Sequence, residues 1–399
     1  MDDLLNRRVL APLFLILFTQ TVITMSSYAL PVIAPLAAAD IGMEPSSVGA
    51  LMTIVYLCAM VVGLGTGSLI GRFGATRVFQ LLLFCTTMGI LALAAAQPAL
   101  AVLGAVLIGI ATGPMNPSGS TVLARISPPR WQPLIFSLKQ CGTPGGGMLA
   151  GAVLPVLALL YDWRLALIVI PVIAAVMILL LAFNRGDMDE PVRRPVPLSL
   201  AETIRTLKLV TTHTGLRRYT ITGFIFAACQ LSAGSYLVVY LWEDVALSPT
   251  QAGAVYAVFH ASGVTARIIL GFVAGRLIPT NILLALLGVI MAFCTAALTL
   301  FTPEWPLWTI YVVVIALGAS GNGWVGLFLS EVARLAPDGK IAGATGGVQV
   351  FMYSGIGGGP ALFLAILTVS GGYQAPFLFF AATAFLSSGL LLARRNRTS

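Results

Sequence analysis

Long apolar stretches alternate with short polar ones along almost the whole chain. Each holds about 20 residues or more, enough to cross a bilayer as a helix. Since lipid offers no hydrogen-bond partners to the backbone, stretches of this kind must be helical. The pattern predicts an all-α membrane protein with twelve transmembrane helices, here called segments 1 to 12, at 9–36, 47–70, 77–96, 99–123, 132–160, 165–183, 219–241, 250–275, 280–301, 306–332, 342–369 and 373–393.

The composition agrees with a lipid environment. Hydrophobic residues make up 58% of the chain and charged residues 9%, whereas about a quarter of a soluble domain is charged. The net charge of +8 could suit nucleic acid, but the basic residues line one face of the predicted membrane protein. We therefore expect the bilayer as the partner, and no nucleic acid.

Charge asymmetry predicts the orientation. With both termini in the cytoplasm, nineteen of the 22 Lys and Arg residues fall on the cytoplasmic side and only Arg164 on the other. This distribution follows the positive-inside rule and predicts a multi-pass protein of the bacterial inner membrane with cytoplasmic termini. Arg7 and Arg8 precede segment 1, which lacks a small-residue cleavage site and is expected to stay uncleaved.

The chain divides near its midpoint into two similar halves. Residues 184–218 form the longest hydrophilic stretch, a Pro-rich linker followed by a short amphipathic helix in SLAETIRTLKLV. It separates a predicted six-helix bundle at 1–183 from a second at 219–399. Shifts of 204 and 209 residues superimpose the halves, so that Gly49, Gly67, Gly71, Arg72, Gly109, Arg125 and Gln140 fall on Gly253, Gly271, Gly275, Arg276, Gly318, Arg334 and Gln349.

These features resemble the major facilitator superfamily over the whole length of the chain. The family signature between helices 2 and 3 is matched by Gly67, Leu69, Arg72, Gly74 and Arg77, while Gly71 stands where the family has an acidic residue. Gly275 and Arg276 repeat part of it in the second half. The resemblance implies two pseudo-symmetric six-helix bundles and a transporter. SLKQCG also resembles a segment of the cyanate-permease-like branch.

Two cations inside the apolar segments are the main candidates for substrate binding. Lys139 lies roughly 10 Å deep in segment 5, and Arg267 roughly 12 Å deep in segment 8. Nothing acidic lies at matching depth, so we expect both to bind a small anionic substrate. The resemblance implies that segments 5 and 8 face each other, so one cavity could hold both. The alternative is that either side chain extends to the cytoplasmic interface.

Segment 8 also carries a polar stripe. Tyr256, His260, Gly263 and Arg267 follow at helical spacing. His260 is a candidate for proton transfer or substrate contact, with a packing role equally open. Weaker candidates for lining the cavity, each of which could equally pack between helices, are Gln20, Thr24, Asn116, Gln140, Gln230, Tyr236, Asn322, Trp324, Gln349 and Tyr353.

Other functional classes lack their signatures. The five cysteines form no CxxC pair and no metal site is expected. The Gly-rich runs at 142–147 and 355–359 lack a GK[ST] motif and are expected to let helices bend, not to bind a nucleotide. No cofactor and no enzymatic activity are expected.

The sequence thus predicts a monomeric secondary transporter of a small organic anion, for which a monocarboxylate is one candidate. It is expected to work by alternating access, with a proton as a candidate co-substrate, and Glu331 is a further candidate for carrying that proton. The rival within the fold is a drug or metabolite exporter. Drug exporters often carry an arginine within helix 4, which segment 4 lacks before Arg125. A membrane-embedded enzyme and a non-transporting sensor are rivals from other classes.

Overall fold

The computed structural model describes residues 7–128, 131–189, 200–275, 277–337 and 340–392. Apart from an isolated bridge between Ala274 and Ile278, the regular structure of these residues is helical. The helices are α1 (Arg7–Ile41), α2 (Val48–Leu64), α3 (Thr66–Phe73), α4 (Ala75–Ala94), α5 (Pro98–Ile126), α6 (Gln132–Gln140), α7 (Gly142–Leu160), α8 (Trp163–Phe183), α9 (Arg185–Met188), α10 (Leu200–Thr212), α11 (Thr214–Glu243), α12 (Pro249–Val273), α13 (Thr280–Ala297), α14 (Leu307–Leu335), α15 (Ile341–Ser370) and α16 (Gln374–Leu392).

Twelve helical stretches in the described residues are long and apolar enough to cross a membrane. They correspond one to one with the twelve predicted segments, which confirms the all-α membrane fold. Large apolar side chains stand exposed on them, with exposed fractions of 68% at Leu160, 85% at Phe183 and 90% at Val369. Water would penalise so much apolar surface, whereas lipid accommodates it.

Two predicted continuous helices are each divided. The stretch 132–160 is broken at Cys141, whose N–H bonds to the Leu138 oxygen three residues back at 3.1 Å. Pro144 explains the break, because it has no N–H to give to the main-chain oxygen of Gln140. The stretch 47–70 is broken at Gly65 within a Gly-rich run, and glycine weakens a helix interior.

Residue contacts divide the chain into two units. Unit 1 comprises Met1–Leu198 with Ser235–Ala257, and unit 2 comprises Ser199–Gly234 with Val258–Ser399. In unit 1, α1 packs against α5, α7 and α8, and α5 also packs against α2 and α4. In unit 2, α13 packs against α14 and α16, and α15 against α14. The predicted boundaries of the halves, at 183 and 219, stay a prediction.

The hydrophilic middle of the chain contains a helix where the sequence predicts one. α10 places Val210 and Thr206 against Gly347 of α15, and the Thr220 hydroxyl donates to the Val210 oxygen at 3.1 Å. Val210 is buried while Ile204 is 64% exposed, so the helix has one packed side. Its position at a membrane surface stays a prediction, and residues 190–199 of the predicted linker lie outside the described residues.

Candidate substrate-binding site

Lys139, near the end of α6, is fully buried. Its ammonium donates to the Asn116 main-chain oxygen at 2.8 Å, to the Ser120 hydroxyl at 2.7 Å, and to the Asn116 side-chain oxygen. An ammonium has three N–H donors, and all three are therefore matched. The side chain bonds to α5 and does not extend to solvent, so the alternative in which Lys139 reaches an aqueous interface is wrong for this structure.

No carboxylate neutralises this ammonium within the described residues. Among the described residues of unit 1, ion pairs join Arg164 to Asp40 at 3.0 Å and to Asp162 at 3.7 Å, and Arg185 to Asp189 at 3.1 Å; Lys139 takes part in none of them. The acceptors of the ammonium in the described part of the chain are neutral oxygens. Removing an ion from water carries a penalty of several kcal/mol, so the arrangement is expensive for the fold on its own.

The surface of α5 is shaped around the lysine. Gly119 lies between Asn116 and Ser120, and a Cβ added there would lie 2.6 Å from the Ile16 side chain and 3.1 Å from Lys139 Cε. A glycine at this position therefore lets α5, α1 and the lysine side chain meet closely. Asn116 and Ser120 are one helical turn apart and project from the same face.

Helix α1 contacts the interrupted part of the α6–α7 segment through polar groups. The Gln20 amide donates to the Thr143 hydroxyl at 2.7 Å, and the Thr24 hydroxyl lies 3.2 Å from the Gly142 oxygen. The Gln20 Oε1 atom is buried and meets no donor among the described residues. Gln20 thus lies beside the helix break, on unit 1 with Lys139.

Arg267 belongs to a polar network in unit 2. Its Nε atom donates to the Asn322 main-chain oxygen at 2.8 Å. The Asn322 side-chain oxygen accepts from the Gln230 amide at 3.0 Å, and the Gln230 oxygen accepts from the Trp324 indole at 3.1 Å. The structure therefore joins Arg267 on α12 to Asn322 and Trp324 on α14 and to Gln230 on α11.

Aromatic rings hold Trp324 in place. Trp324 is fully buried, and its ring meets Phe226 at 5.5 Å and Phe328 at 5.1 Å, edge to face in both cases. Such contacts fix a ring orientation as well as burying area. The indole N–H therefore has a fixed direction toward Gln230.

The repeat shows what is particular to this network. A Cβ at Gly109 would collide with the Val55 oxygen in unit 1, and one at Gly318 would collide with the Phe259 oxygen in unit 2. The shift of 209 residues relates Gly109 to Gly318, and the shift of 204 relates Val55 to Phe259. The close contact between α2 and α5 within unit 1 is therefore equivalent to the one between α12 and α14 within unit 2.

At the next turns the two units differ. Unit 1 has Ala59, Gly63 and Gly113 where unit 2 has Gly263, Arg267 and Asn322. A Cβ at Gly113 would collide with the main chain of Ala59, and a Cβ at Gly263 would collide with the Asn322 side chain. In unit 1 the glycine at this contact is on the second helix of the pair, α5, whereas in unit 2 it is on the first helix, α12. Its position on α12 makes room for the Asn322 side chain.

The remaining predicted site residues lie on α6, α12 and α15. Tyr256 is buried in unit 1 with its ring 6.2 Å from that of Tyr28. His260, in unit 2, is 1% exposed and its ring lies 4.9 Å from that of Phe259. Gln140, Gln349 and Tyr353 are half-buried, and none is a hydrogen-bond partner of the Lys139 ammonium.

An acidic residue from outside the loop signature contacts the junction between α3 and α4. Asp189, directly after α9, accepts from the Thr76 N–H at 2.9 Å and so caps the start of α4. The Arg125 guanidinium donates to the neighbouring Met188 oxygen at 2.8 Å. Asp189 thus brings a carboxylate next to the junction between α3 and α4.

Of the signature residues, Gly74 is the one that lies against this cap. Gly74 has a φ of +81° and lies against the Asp189 carboxylate, while the Arg72 guanidinium lies 5.4 Å from the Phe73 ring centre. Arg77 is exposed. Gly275 has a φ of +72° just after α12, and Arg276 lies outside the described residues. Gly67 and Gly71 lie on α3.

Several functional candidates escaped the sequence analysis. Ser120 lies one turn from Asn116, so helical spacing from that residue could have found it. Nothing local marks Thr143 or Asp189, whose partners lie 123 and 113 residues away.

Glu331, a candidate proton carrier, is buried and paired with Arg334 on the same helix.

Comparison with known proteins identifies the class. The model of the Major Facilitator Superfamily matches residues 16–360. The 4-hydroxybenzoate transporter PcaK of Pseudomonas aeruginosa is 26% identical over 330 residues, covering 72% of this chain and 70% of that protein. The hexuronate transporter of Bacillus subtilis is 23% identical over 233 residues, covering 57% of this chain and 54% of that protein.

Solved structures show the same fold. A crystal structure of a mutant form of the peptide transporter POT superimposes with a TM-score of 0.77 at 18% identity, covering 96% of this chain and 93% of the other. The peptide transporter POT in complex with sulfate gives a TM-score of 0.73. With twelve apolar helices and a family match over most of its length, the chain belongs to the Major Facilitator Superfamily and is a multi-pass membrane transport protein, not an enzyme.

Proposed function

We propose that the chain is a secondary transporter that carries a small organic anion, foremost a monocarboxylate, by alternating access. The observation that carries the proposal is the fully buried Lys139 ammonium, which is held by Asn116 and Ser120 and paired with no carboxylate in the described residues. A buried cation without a counterion favours any anion that can reach it.

The chemistry of the two cations suits a carboxylate. Lys139 offers a compact charge with three donors, and one neutral oxygen among its partners can be exchanged for a carboxylate oxygen. Arg267 offers a planar guanidinium, which matches a carboxylate with two parallel hydrogen bonds. Each unit therefore contributes one candidate anion-binding group.

The relatives support the same substrate class. One is named for 4-hydroxybenzoate and the other for hexuronate. Each of these compounds joins a single carboxylate to a hydroxylated ring or chain. We propose a hydroxylated monocarboxylate for this chain on that ground and on the two cations.

Coupling and location complete the proposal. Glu331 is paired with Arg334, and the proposed proton carrier is His260, whose imidazole can gain and lose a proton, or the substrate itself. The charge asymmetry favours a bacterial inner membrane with both termini in the cytoplasm. The chain works as a monomer in this proposal, with protons as the co-substrate.

Purified protein in liposomes tests the proposal. Exchange of labelled 4-hydroxybenzoate and of glucuronate is measured beside the uncharged methyl ester of the former and a cationic dye. We expect exchange and thermal stabilisation with at least one carboxylate. Thermal stabilisation of the protein by the ester or the dye, and by neither carboxylate, would support a drug or metabolite exporter instead.

A further inference from the structure

The hydrogen-bond network of unit 2 has a fixed direction, which bears on how a carboxylate is recognised. An indole N–H can only donate. Trp324 therefore requires the oxygen of the Gln230 amide on its side, at 3.1 Å. The Gln230 NH₂ group is then turned toward Asn322, where it finds an acceptor at 3.0 Å.

This order sets the orientation of the last amide. Asn322 must present its oxygen to Gln230, so its NH₂ group points the other way. A side-chain amide is otherwise ambiguous, because its oxygen and nitrogen have nearly the same shape. Here the donor-only indole removes the ambiguity for both amides.

Both N–H donors of the Asn322 NH₂ group are left without an acceptor among the described residues. Asn322 is 2% exposed, and its Nδ2 atom is buried without an acceptor among the described residues. A buried donor without a partner is costly and rare in native proteins. The amide is therefore a candidate for bonding to a ligand that the protein binds in turn.

The Asn322 NH₂ group lies beside a charge. A Cβ at Gly263 would lie 3.3 Å from Asn322 Nδ2, which places the amide against that turn of α12. Arg267 follows Gly263 by four residues and donates from Nε to the Asn322 main-chain oxygen at 2.8 Å. An amide donor and a guanidinium thus occur on the same two neighbouring helices, α12 and α14.

The fold does not require these polar groups. The repeat-related positions in unit 1 are Ala59, Gly63 and Gly113, which pack closely without a hydrogen-bonding side chain. Packing alone could therefore be satisfied with small residues in unit 2 as well. The polar set is an addition to a helix contact that works without it.

We infer that the Asn322 NH₂ group donates to a carboxylate oxygen of the transported anion beside Arg267, and that Trp324 and Gln230 are positioning residues that keep this amide turned as a donor. The inference rests on the proposed function, of which it specifies the carboxylate subsite in unit 2. Reversing the Asn322 amide would present its oxygen to the substrate and repel a carboxylate.

The test compares 4-hydroxybenzoate with 4-hydroxybenzamide, which lacks the charge and one acceptor. Binding to purified protein is measured for wild type, Asn322→Leu, Gln230→Leu and Trp324→Phe. Loss of a hydrogen bond to a charged group predicts roughly 10- to 100-fold weaker benzoate binding in Asn322→Leu. Loss of orientation alone predicts about three- to tenfold in Trp324→Phe and Gln230→Leu.

Two controls separate positioning from structure. Gln374→Leu makes the same change at an exposed glutamine at the start of α16 and is expected to bind benzoate as wild type does. Gln230→Leu introduced into Asn322→Leu is expected to add nothing, because both changes act through one amide. Preference for benzoate over benzamide is expected to fall in all three network variants.

The outcomes distinguish two failures. Wild-type benzoate affinity in Trp324→Phe and Gln230→Leu, with binding lost in Arg267→Met, would overturn the inference and leave the proposed function standing. Equal losses for benzoate and benzamide would overturn it as well, since they mark a structural role. If wild type binds neither 4-hydroxybenzoate nor glucuronate, the proposed function and the inference fail together.

Discussion

Lys139 and Asn116 face each other across α6 and α5, and the ammonium donates to both the main-chain and the side-chain oxygen of the asparagine. The contact joins a charged donor to neutral acceptors, and the lysine side chain is fully buried. The contact satisfies the hydrogen-bond donors of the ammonium but does not neutralise its charge. The proposed function follows from that imbalance between satisfied hydrogen bonds and uncompensated charge.

Lys139→Met is expected to abolish anion exchange without destabilising the protein. Methionine has a similar length and no charge, so the penalty of several kcal/mol for burying an uncompensated ion disappears. The oxygens left behind offset part of that gain, at about 1–3 kcal/mol. Thermal unfolding in detergent and exchange in liposomes measure the two effects.

Lys208→Met on the exposed side of α10 is the matched control and is expected to change neither measurement. A marked fall in the unfolding temperature of Lys139→Met would contradict the prediction, because it would make the lysine part of the structural framework.

Gly119→Ala is expected to weaken both stability and anion binding. The added Cβ would lie 2.6 Å from the Ile16 side chain and 3.1 Å from Lys139 Cε, so α1 or the lysine must move. Overpacking of this kind costs about 1–3 kcal/mol. Gly389→Ala on α16, where a Cβ meets open space, is the control. Unfolding temperature and dissociation constant are measured for each, and equal behaviour of the two variants would refute the close packing at Gly119.

Asp189→Ala is expected to lower stability by about 0.5–2 kcal/mol, the usual effect of losing a helix cap. The carboxylate accepts from the Thr76 N–H at the start of α4. Asp189→Asn keeps an oxygen at that position and is expected to lose less. Limited proteolysis of the loop between α3 and α4, together with thermal unfolding, reports the difference. Wild-type stability and wild-type proteolysis in the alanine variant would show that the cap is unimportant.

Glu331→Gln is expected to leave stimulation of uptake by a proton gradient intact. Its carboxylate is paired with Arg334 on the same helix, and since Arg334 is 68% exposed the pair contributes at most about 1 kcal/mol. His260→Asn is expected to remove the stimulation. Uptake is measured with a pH gradient at clamped membrane potential. If Glu331→Gln lost the stimulation by the proton gradient and His260→Asn kept it, Glu331 and not His260 would be the proton carrier.

The sequence predicts the fold because hydropathy is a local property. Twelve apolar stretches, one long polar interval and two cations at depth can be read without knowing any tertiary contact. The helix break at Cys141 could also be predicted locally, because Pro144 removes a hydrogen-bond donor from the helix interior. The uninterrupted apolar stretch at 132–160 instead predicts one continuous helix.

The partners in the site could not be predicted in the same way. Gln230 meets Asn322 from 92 residues away, and Asp189 meets Thr76 from 113 residues away. Such pairs depend on how the helices rotate and pack, which hydropathy does not specify. The repeat gives part of this information, since Gly263 and Asn322 exchange the roles of Ala59 and Gly113, but only the packed helices show which side the glycine occupies.

Asn116→Asp gives the most direct test of the central claim, that the buried charge of Lys139 binds the anionic substrate. The substitution supplies the missing carboxylate at the atom that already accepts from the ammonium. Exchange of labelled 4-hydroxybenzoate is measured in liposomes beside Ser120→Ala, which removes a neutral acceptor. The account predicts that Asn116→Asp folds with undiminished stability and loses exchange at least about fivefold more than Ser120→Ala, since a charge-assisted bond exceeds a neutral one by about 1 kcal/mol or more. Exchange at the wild-type rate in a stable Asn116→Asp protein would contradict it.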